Sequence, residues 1–296
     1  MFGEYMKFIV ALFLVISLQL FPDICVGEGS IENPEIGIGG YTARDLILNK
    51  DMVVNILKEA KGNHDHRQIY NEYSEEFLET YGKLKIDGAQ KCTANLVSDR
   101  DTNDSVIVIT AAHCFKPGDE DKSITVEFTK RNGASFSRRL SMETINNEYD
   151  YAILRLGRKI HNHDIIPLVL SEYDAEEMWE EIEMMDLADT MTLTFGGFNS
   201  DSTIGDGGRL LTYDQNCEIF GFDRGYEITT NCIGYPGASG GACVISYDDI
   251  DDERQNLFVG VNKSVSFDPY ATETPWRANF VDLTIMYEDI ERALTQ

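Results

Sequence analysis

From residue 83 onward the sequence predicts an all-β fold of antiparallel strands, on three observations. Short apolar runs rich in Val, Ile and Thr recur, among them Val106-Ile107-Val108-Ile109, Ile124-Thr125-Val126 and Met191-Thr192-Leu193-Thr194-Phe195, a composition that suits a pleated, half-buried surface. Turn signals punctuate them at Asn132-Gly133, Gly196-Gly197, Gly207-Gly208 and Pro236-Gly237. Helical periodicity does not alternate with the strands as βαβ units require, so a sandwich or a pair of barrels follows.

The N-terminus reads differently. Met6-Lys7 precedes an apolar stretch over residues 8–21 and a small-residue exit at Cys25-Val26-Gly27, the pattern of an export signal spanning residues 1–27. The stretch is short for an anchor and its downstream flank is acidic, which favours a cleaved signal over a retained one. Residues 28–80 form an N-terminal extension, either a pro-segment or a helical flank. Leu46, Val53, Val54 and Leu57 fall there at helical spacing, and Ile69, Tyr73, Phe77 and Tyr81 continue with a period near four. The β domain then occupies residues 81–296. Two helices interrupt it: an acidic stretch over residues 172–188, and a C-terminal series of Leu283, Met286, Ile290 and Leu294 whose apolar face is expected to pack on a barrel.

Asp and Glu number 51 against 25 Lys and Arg, a formal net charge of −26. Such a surface repels nucleic acid and anionic membranes, so neither is an expected partner once the signal has gone. Six cysteines are present. Loss of Cys25 with the signal leaves an odd number, so at least one thiol is free or pairs with another chain, while export permits disulfides among the rest.

Nucleophilic acyl transfer needs a hydroxyl, a base to activate it, a carboxylate to orient the base, and amide donors for the oxyanion. Ser239 lies in Gly237-Ala238-Ser239-Gly240-Gly241, where glycines permit the tight turn that brings the amides of Gly237 and Ser239 toward one point. His113 closes Ile109-Thr110-Ala111-Ala112-His113-Cys114, and Asp150 opens the apolar run Asp150-Tyr151-Ala152-Ile153-Leu154-Arg155-Leu156. Each feature alone has an ordinary structural explanation: a turn, a structural histidine, a residue that begins a strand. Together they supply all four requirements.

These three motifs resemble the Thr-Ala-Ala-His-Cys, Asp-x-Ala-Leu-Leu and Gly-x-Ser-Gly-Gly signatures of the trypsin-like (chymotrypsin-fold) serine peptidase family, in the family's order. Tyr81-Gly82-Lys83-Leu84-Lys85-Ile86 and Cys92-Thr93-Ala94-Asn95-Leu96-Val97 are similar to its first two strands. The resemblance implies two six-stranded antiparallel β-barrels with a cleft between them, and a secreted endopeptidase that needs no metal or cofactor and acts on polypeptides. It implies the roles as well: Ser239 attacks, His113 moves the proton, Asp150 fixes the imidazole, and the amides of Gly237 and Ser239 hold the oxyanion. It further implies a Cys92–Cys114 disulfide. Cys217 and Cys232 are expected to form the second, flanking a hairpin-like loop as in the bacterial V8-like glutamyl endopeptidase branch, which leaves Cys243 as a buried thiol.

The sequence also departs from the family. Animal-type trypsins carry an aspartate just before the nucleophile, where this chain has Ala238, so Ile36-Gly37-Ile38-Gly39-Gly40 is not read as an activation site of that kind. The pocket positions correspond to Ile233, Asn262 and Lys263. Glutamyl endopeptidases have histidine where Asn262 falls, and Lys263 is either a determinant for acidic side chains or an ordinary solvated lysine. Weaker signals are read as surface features: His64-x-His66 and His161-x-His163 offer two imidazoles each, an incomplete metal set, and Asp99, Asp101 and Asp104 lack the calcium-loop glycine and spacing. Asn103-Asp104-Ser105 and Asn262-Lys263-Ser264 are formal glycosylation sequons. The rival functions are a peptidase fold used only for binding, and an esterase; the latter's Gly-x-Ser-x-Gly elbow and order of triad members are not those of this chain.

Overall fold

The computed structural model describes residues 37–38, 41–42, 65–98, 104–185, 187–215, 217–223, 226–267 and 276–295. The export signal, the helical spacing at Leu46 to Leu57, His64, Asp99 and Asp101 lie outside them. Two units are distinguished, one of residues 1–65 with 268–275 and one of residues 66–267 with 276–296. In the first, β1 (Gly37–Ile38) and β2 (Tyr41–Thr42) form an antiparallel pair. Among the described residues no helix is long and apolar enough to cross a membrane.

The second unit begins with residues that sequence reading assigns to the extension. β3 (Gln68–Ile69) pairs with a strand of this unit, and a 3-10 helix covers Glu76–Thr80. The period of four from Ile69 to Tyr81 is therefore not one helix. Ile69 and Tyr73 are exposed, whereas Phe77 and Tyr81 are buried on the 3-10 turn and at the start of a strand.

Six strands follow and close on themselves: β4 (Tyr81–Ile86), β5 (Ala89–Ser98), β6 (Ser105–Thr110), β7 (Ile124–Thr129), β8 (Ser135–Asn146) and β9 (Tyr151–Ile160). The pairings run β4–β5–β6–β9–β8–β7 and back to β4, all antiparallel. Strand β7 shows why: Ile124, Val126 and Phe128 are buried while the residues between them are half-exposed, the period-2 alternation that puts one face inside. Leu84, Leu96, Val108, Val126, Phe128 and Leu154 fill the interior.

β10 (Leu168–Leu170) pairs in parallel with β5 and with β16 (Arg254–Phe267), linking the barrel to the remaining strands. These are β11 (Thr192–Gly197), β12 (Thr212–Asp214), β13 (Ile219–Asp223), β14 (Glu227–Thr230), β15 (Ala242–Asp248) and β17 (Trp276–Asp282). With β3 they run β3–β12–β11–β15–β16–β17–β14–β13, all antiparallel. Among the described residues no pairing joins the two ends. The expected second six-stranded barrel is therefore not fully shown: the strands of this half pack around Leu193, Phe195, Val259 and Phe280 without a closing pair among the described residues. Gly196-Gly197, read as a turn, lies within β11; a Cβ on Gly196 would come within 2.9 Å of the Tyr81 ring, and one on Gly197 within 2.7 Å of Ala238.

Helix α1 (Ala175–Met184) is shorter than the predicted stretch 172–188, and α2 (Leu283–Thr295) carries the whole predicted series from Leu283 to Leu294. Asp174 caps α1 by accepting the Glu177 amide at 2.8 Å. Asp282 accepts the amides of Ala175 and Thr284, at 3.1 and 2.9 Å, and so ties the starts of both helices together. Burial pushes its carboxyl above the usual range. Leu283, Met286 and Ile290 of α2 are buried against the core shared by both halves, with Leu294 partly buried beside them.

Candidate active site

β6 delivers His113. It ends at Thr110, Ala111 and Ala112 are buried, and a 3-10 turn over Ala112–Cys114 lifts the imidazole to 45% exposure. Asp150 stands at the start of β9 in a left-handed backbone conformation, φ 65°, which aspartate tolerates better than most residues. Its carboxylate grips His113 at two points: Oδ1 accepts the backbone N–H and Oδ2 lies on Nδ1, both at 2.8 Å. A carboxylate on Nδ1 favours the tautomer protonated there, leaving Nε2 to accept a proton. The grip fixes both the ring's position and its tautomer.

Ser239 sits between two glycines with positive φ, Gly237 at 97° and Gly240 at 81°. A Cβ on Gly237 would stand 2.4 Å from the Phe198 carbonyl, and one on Gly240 2.1 Å from Thr110 Oγ1, so the serine turn lies directly against the end of β6 that leads to His113. Two buried polar residues of β5 hold it there. Thr93 donates its amide to the Ser239 carbonyl at 2.9 Å and its hydroxyl to the Gly237 carbonyl at 2.9 Å. Asn95 donates to the Gly240 carbonyl at 2.6 Å and to the Ile109 carbonyl at 3.2 Å, and accepts the Ala242 amide at 2.9 Å. Thr110 adds a bond to the Thr93 carbonyl at 2.6 Å.

Within the turn, the amides of Ala238, Gly240 and Gly241 are bonded to the carbonyls of Tyr235, Asn262 and Ala238. Among the described residues the amides of Gly237 and Ser239 donate no hydrogen bond, nor does Ser239 Oγ make one. Two neighbouring amides of the turn are thus left unused by the fold, the kind of donor pair that can receive a developing negative charge. Serine–histidine hydrogen bonds in substrate-free sites are often long and close on substrate binding.

Sequence reading did not single out Thr93, Asn95 or Thr110. The signal was available: Thr93 and Asn95 are polar at alternate positions of the otherwise apolar run from Cys92 to Val97, which puts both on the face opposite Ala94 and Leu96.

Cys92–Cys114 and Cys217–Cys232 are disulfides and Cys243 is a buried free thiol. Burial pushes that thiol's pKa far up, so it stays protonated and inert. The first bridge ties the residue before Thr93 to the residue after His113. Cys92, Cys114 and His113 converge closely enough for a metal, but both sulfurs are spent in the bridge. Among the pocket candidates, Ile233 is buried, the Asn262 side chain bonds weakly to the carbonyls of Ser264 and Asn279, and Lys263 pairs with Glu227 at 2.6 Å. Lys263 is therefore neither free nor merely solvated. The weaker signals are likewise absorbed: His161 and His163 stack at 5.3 Å, and Asp104 takes Lys159 at 2.8 Å and His161 at 3.0 Å. The Lys159 hydrogen bond leads the effects that hold the Asp104 carboxyl at about 2.

A family model described as trypsin-like peptidase domain matches residues 92–249, a span that contains His113, Asp150 and Ser239. The chain belongs to this family. Among solved structures, this trypsin-like chain is similar to "Structure of Glu endopeptidase in complex with MPD", at 14% identity and a TM-score of 0.51 over 78% of this chain and 98% of that one. A kallikrein-related peptidase 10 structure gives 17% identity and a TM-score of 0.48 over 75% and 98%. The former likeness establishes a chymotrypsin-like fold. No curated protein sequence matches.

Proposed function

We propose that this trypsin-like protein is a secreted serine endopeptidase that cuts polypeptides through an acyl-enzyme intermediate, with Ser239, His113 and Asp150 as its triad. The observation that carries the reading is the two-point grip of Asp150 on His113 beside a serine turn with two unused amides. In the reaction His113 Nε2 takes the proton of Ser239 Oγ as that oxygen adds to the scissile carbonyl. The Gly237 and Ser239 amides receive the oxyanion, the imidazolium returns the proton to the leaving amine, and water repeats the cycle on the ester. Family membership supports a polypeptide substrate. Two disulfides and an export-signal pattern support secretion.

A fluorophosphonate probe tests this reading together with a peptide-library cleavage profile. Wild-type protein is expected to label and to cleave, and Ser239→Ala to do neither. Equal labelling of both, or no labelling of processed wild type, would leave the fold as a binding module.

A further inference from the structure

The loop that leads into the nucleophile, residues 233–237, is held from below by two consecutive side chains at the N-terminal edge of the peptidase unit. His66 Nε2 lies 3.0 Å from Oδ2 of Asp214, a carboxylate with no solvent exposure, and the same oxygen faces the Ile233 amide at 3.5 Å. Arg67 is 5% exposed. Its guanidinium donates to Asp201 at 3.0 Å and to Thr212 Oγ1 at 3.4 Å, and lies over the Tyr235 ring with 4.4 Å to the centroid. Asn199 closes the arrangement: it donates to Thr212 Oγ1 at 2.7 Å and accepts the Tyr235 amide at 2.6 Å. The Ser200 amide bonds the Pro236 carbonyl at 2.8 Å.

Burying an arginine this deeply is costly unless its charge is paired and its planar face is covered. Asp201 supplies the charge and Tyr235 the face. Tyr235 stands two residues before Gly237, whose amide is one of the two left unused. A guanidinium held over that ring limits where the Gly237 peptide plane can turn.

We infer that Arg67, assisted by His66, is a positioning residue for the oxyanion site, acting through Tyr235 and Asp214 on the loop 233–237. The role rests on the endopeptidase reading of Ser239. It also places a functional limit on processing: a cut that removed residue 67 would release the loop, so any pro-segment must end before Arg67.

The test uses the full chain and a quenched fluorescent peptide taken from the library profile. Arg67→Ala is expected to lower kcat on the order of thirtyfold with KM within about threefold, because the oxyanion donors act in the transition state more than in substrate binding. Arg67→Lys keeps the charge but not the planar face and is expected to recover only part of the loss. Ile290→Ala, on helix α2 and without contact to the loop 233–237 among the described hydrogen bonds, serves as a control of reduced stability and is expected to keep kcat. In a Ser239→Ala background, Arg67→Ala is expected to speed amide hydrogen exchange over residues 233–241, a readout independent of turnover. Unchanged kcat in Arg67→Ala with normal wild-type turnover, a kcat loss matched by Ile290→Ala, or unchanged exchange at the loop each overturns the positioning role alone. A wild type that neither labels nor cleaves overturns the endopeptidase reading and this role with it.

Discussion

The two halves of the peptidase unit handle their sheet edges differently. In the first half six strands close, so every edge is consumed in pairing. In the second, eight strands run from β3 to β13 without a closing pair among the described residues. The ends are secured instead by Cys217–Cys232, by α1 against the sheet, and by the Arg67–Asp201 pair. The difference maps onto the candidate site: His113 and Asp150, held together by two hydrogen bonds, come from the closed barrel, whereas Ser239 and the candidate pocket positions come from the second half.

If the closed half sets the base, damage to it should be felt as lost chemistry. Asp150→Asn keeps the shape but reverses what the side chain offers to Nδ1, and kcat is expected to fall about 10⁴-fold with little change in melting temperature. Asn95 crosses from one half to the other, so Asn95→Ala leaves a buried carbonyl and amide unpaired. The expected cost is on the order of 3 kcal/mol in a denaturant titration, together with lower kcat. Removing the Cys217–Cys232 bridge, which closes a loop of 15 residues, is expected to cost roughly 3 kcal/mol. Hydrogen exchange should then quicken in β13 and β14 and remain slow in β4 to β9; equal loosening of both halves would erase the contrast.

Much of the closed half was legible in the sequence because its strands alternate. The apolar positions of β7 alone dictate its inner face, and the runs ending at His113 and opening at Asp150 place both residues at strand ends. Around Ser239 the glycines announced the turn, although not what holds it. Thr93 and Asn95 act across more than a hundred residues of chain, and local periodicity carries no information about such partners. The same blindness hid the docking of His66 and Arg67: two polar residues ahead of a two-residue strand give no pattern, and the aromatic spacing from Ile69 to Tyr81 suggested a helix that long-range pairing with β12 overrides.

The smallest effect expected separates two carboxylates, one from each half, that are both held at about 2. Burial by itself would raise Asp201, but hydrogen bonds from Arg67 and Thr203 and the Arg67 charge outweigh it. A folded-state pKa below the ordinary 3.8 means that the stabilisation is complete above about pH 4 and is lost as pH falls toward 2. For Asp201, whose side chain is 6% exposed, the shift corresponds to roughly 2 kcal/mol. Asp104 shares the direction but faces solvent, with Lys159 half exposed beside it, where salt screens ion pairs. The stability gap between wild type and Asp201→Asn should therefore shrink between pH 4 and 2 and persist in about 0.5 M salt at neutral pH, roughly three times the 0.15 M physiological level. The gap for Asp104→Asn should narrow in that salt. If salt narrowed both equally, the Arg67–Asp201 pair would be a surface contact, and the second half would have lost one of its three ties.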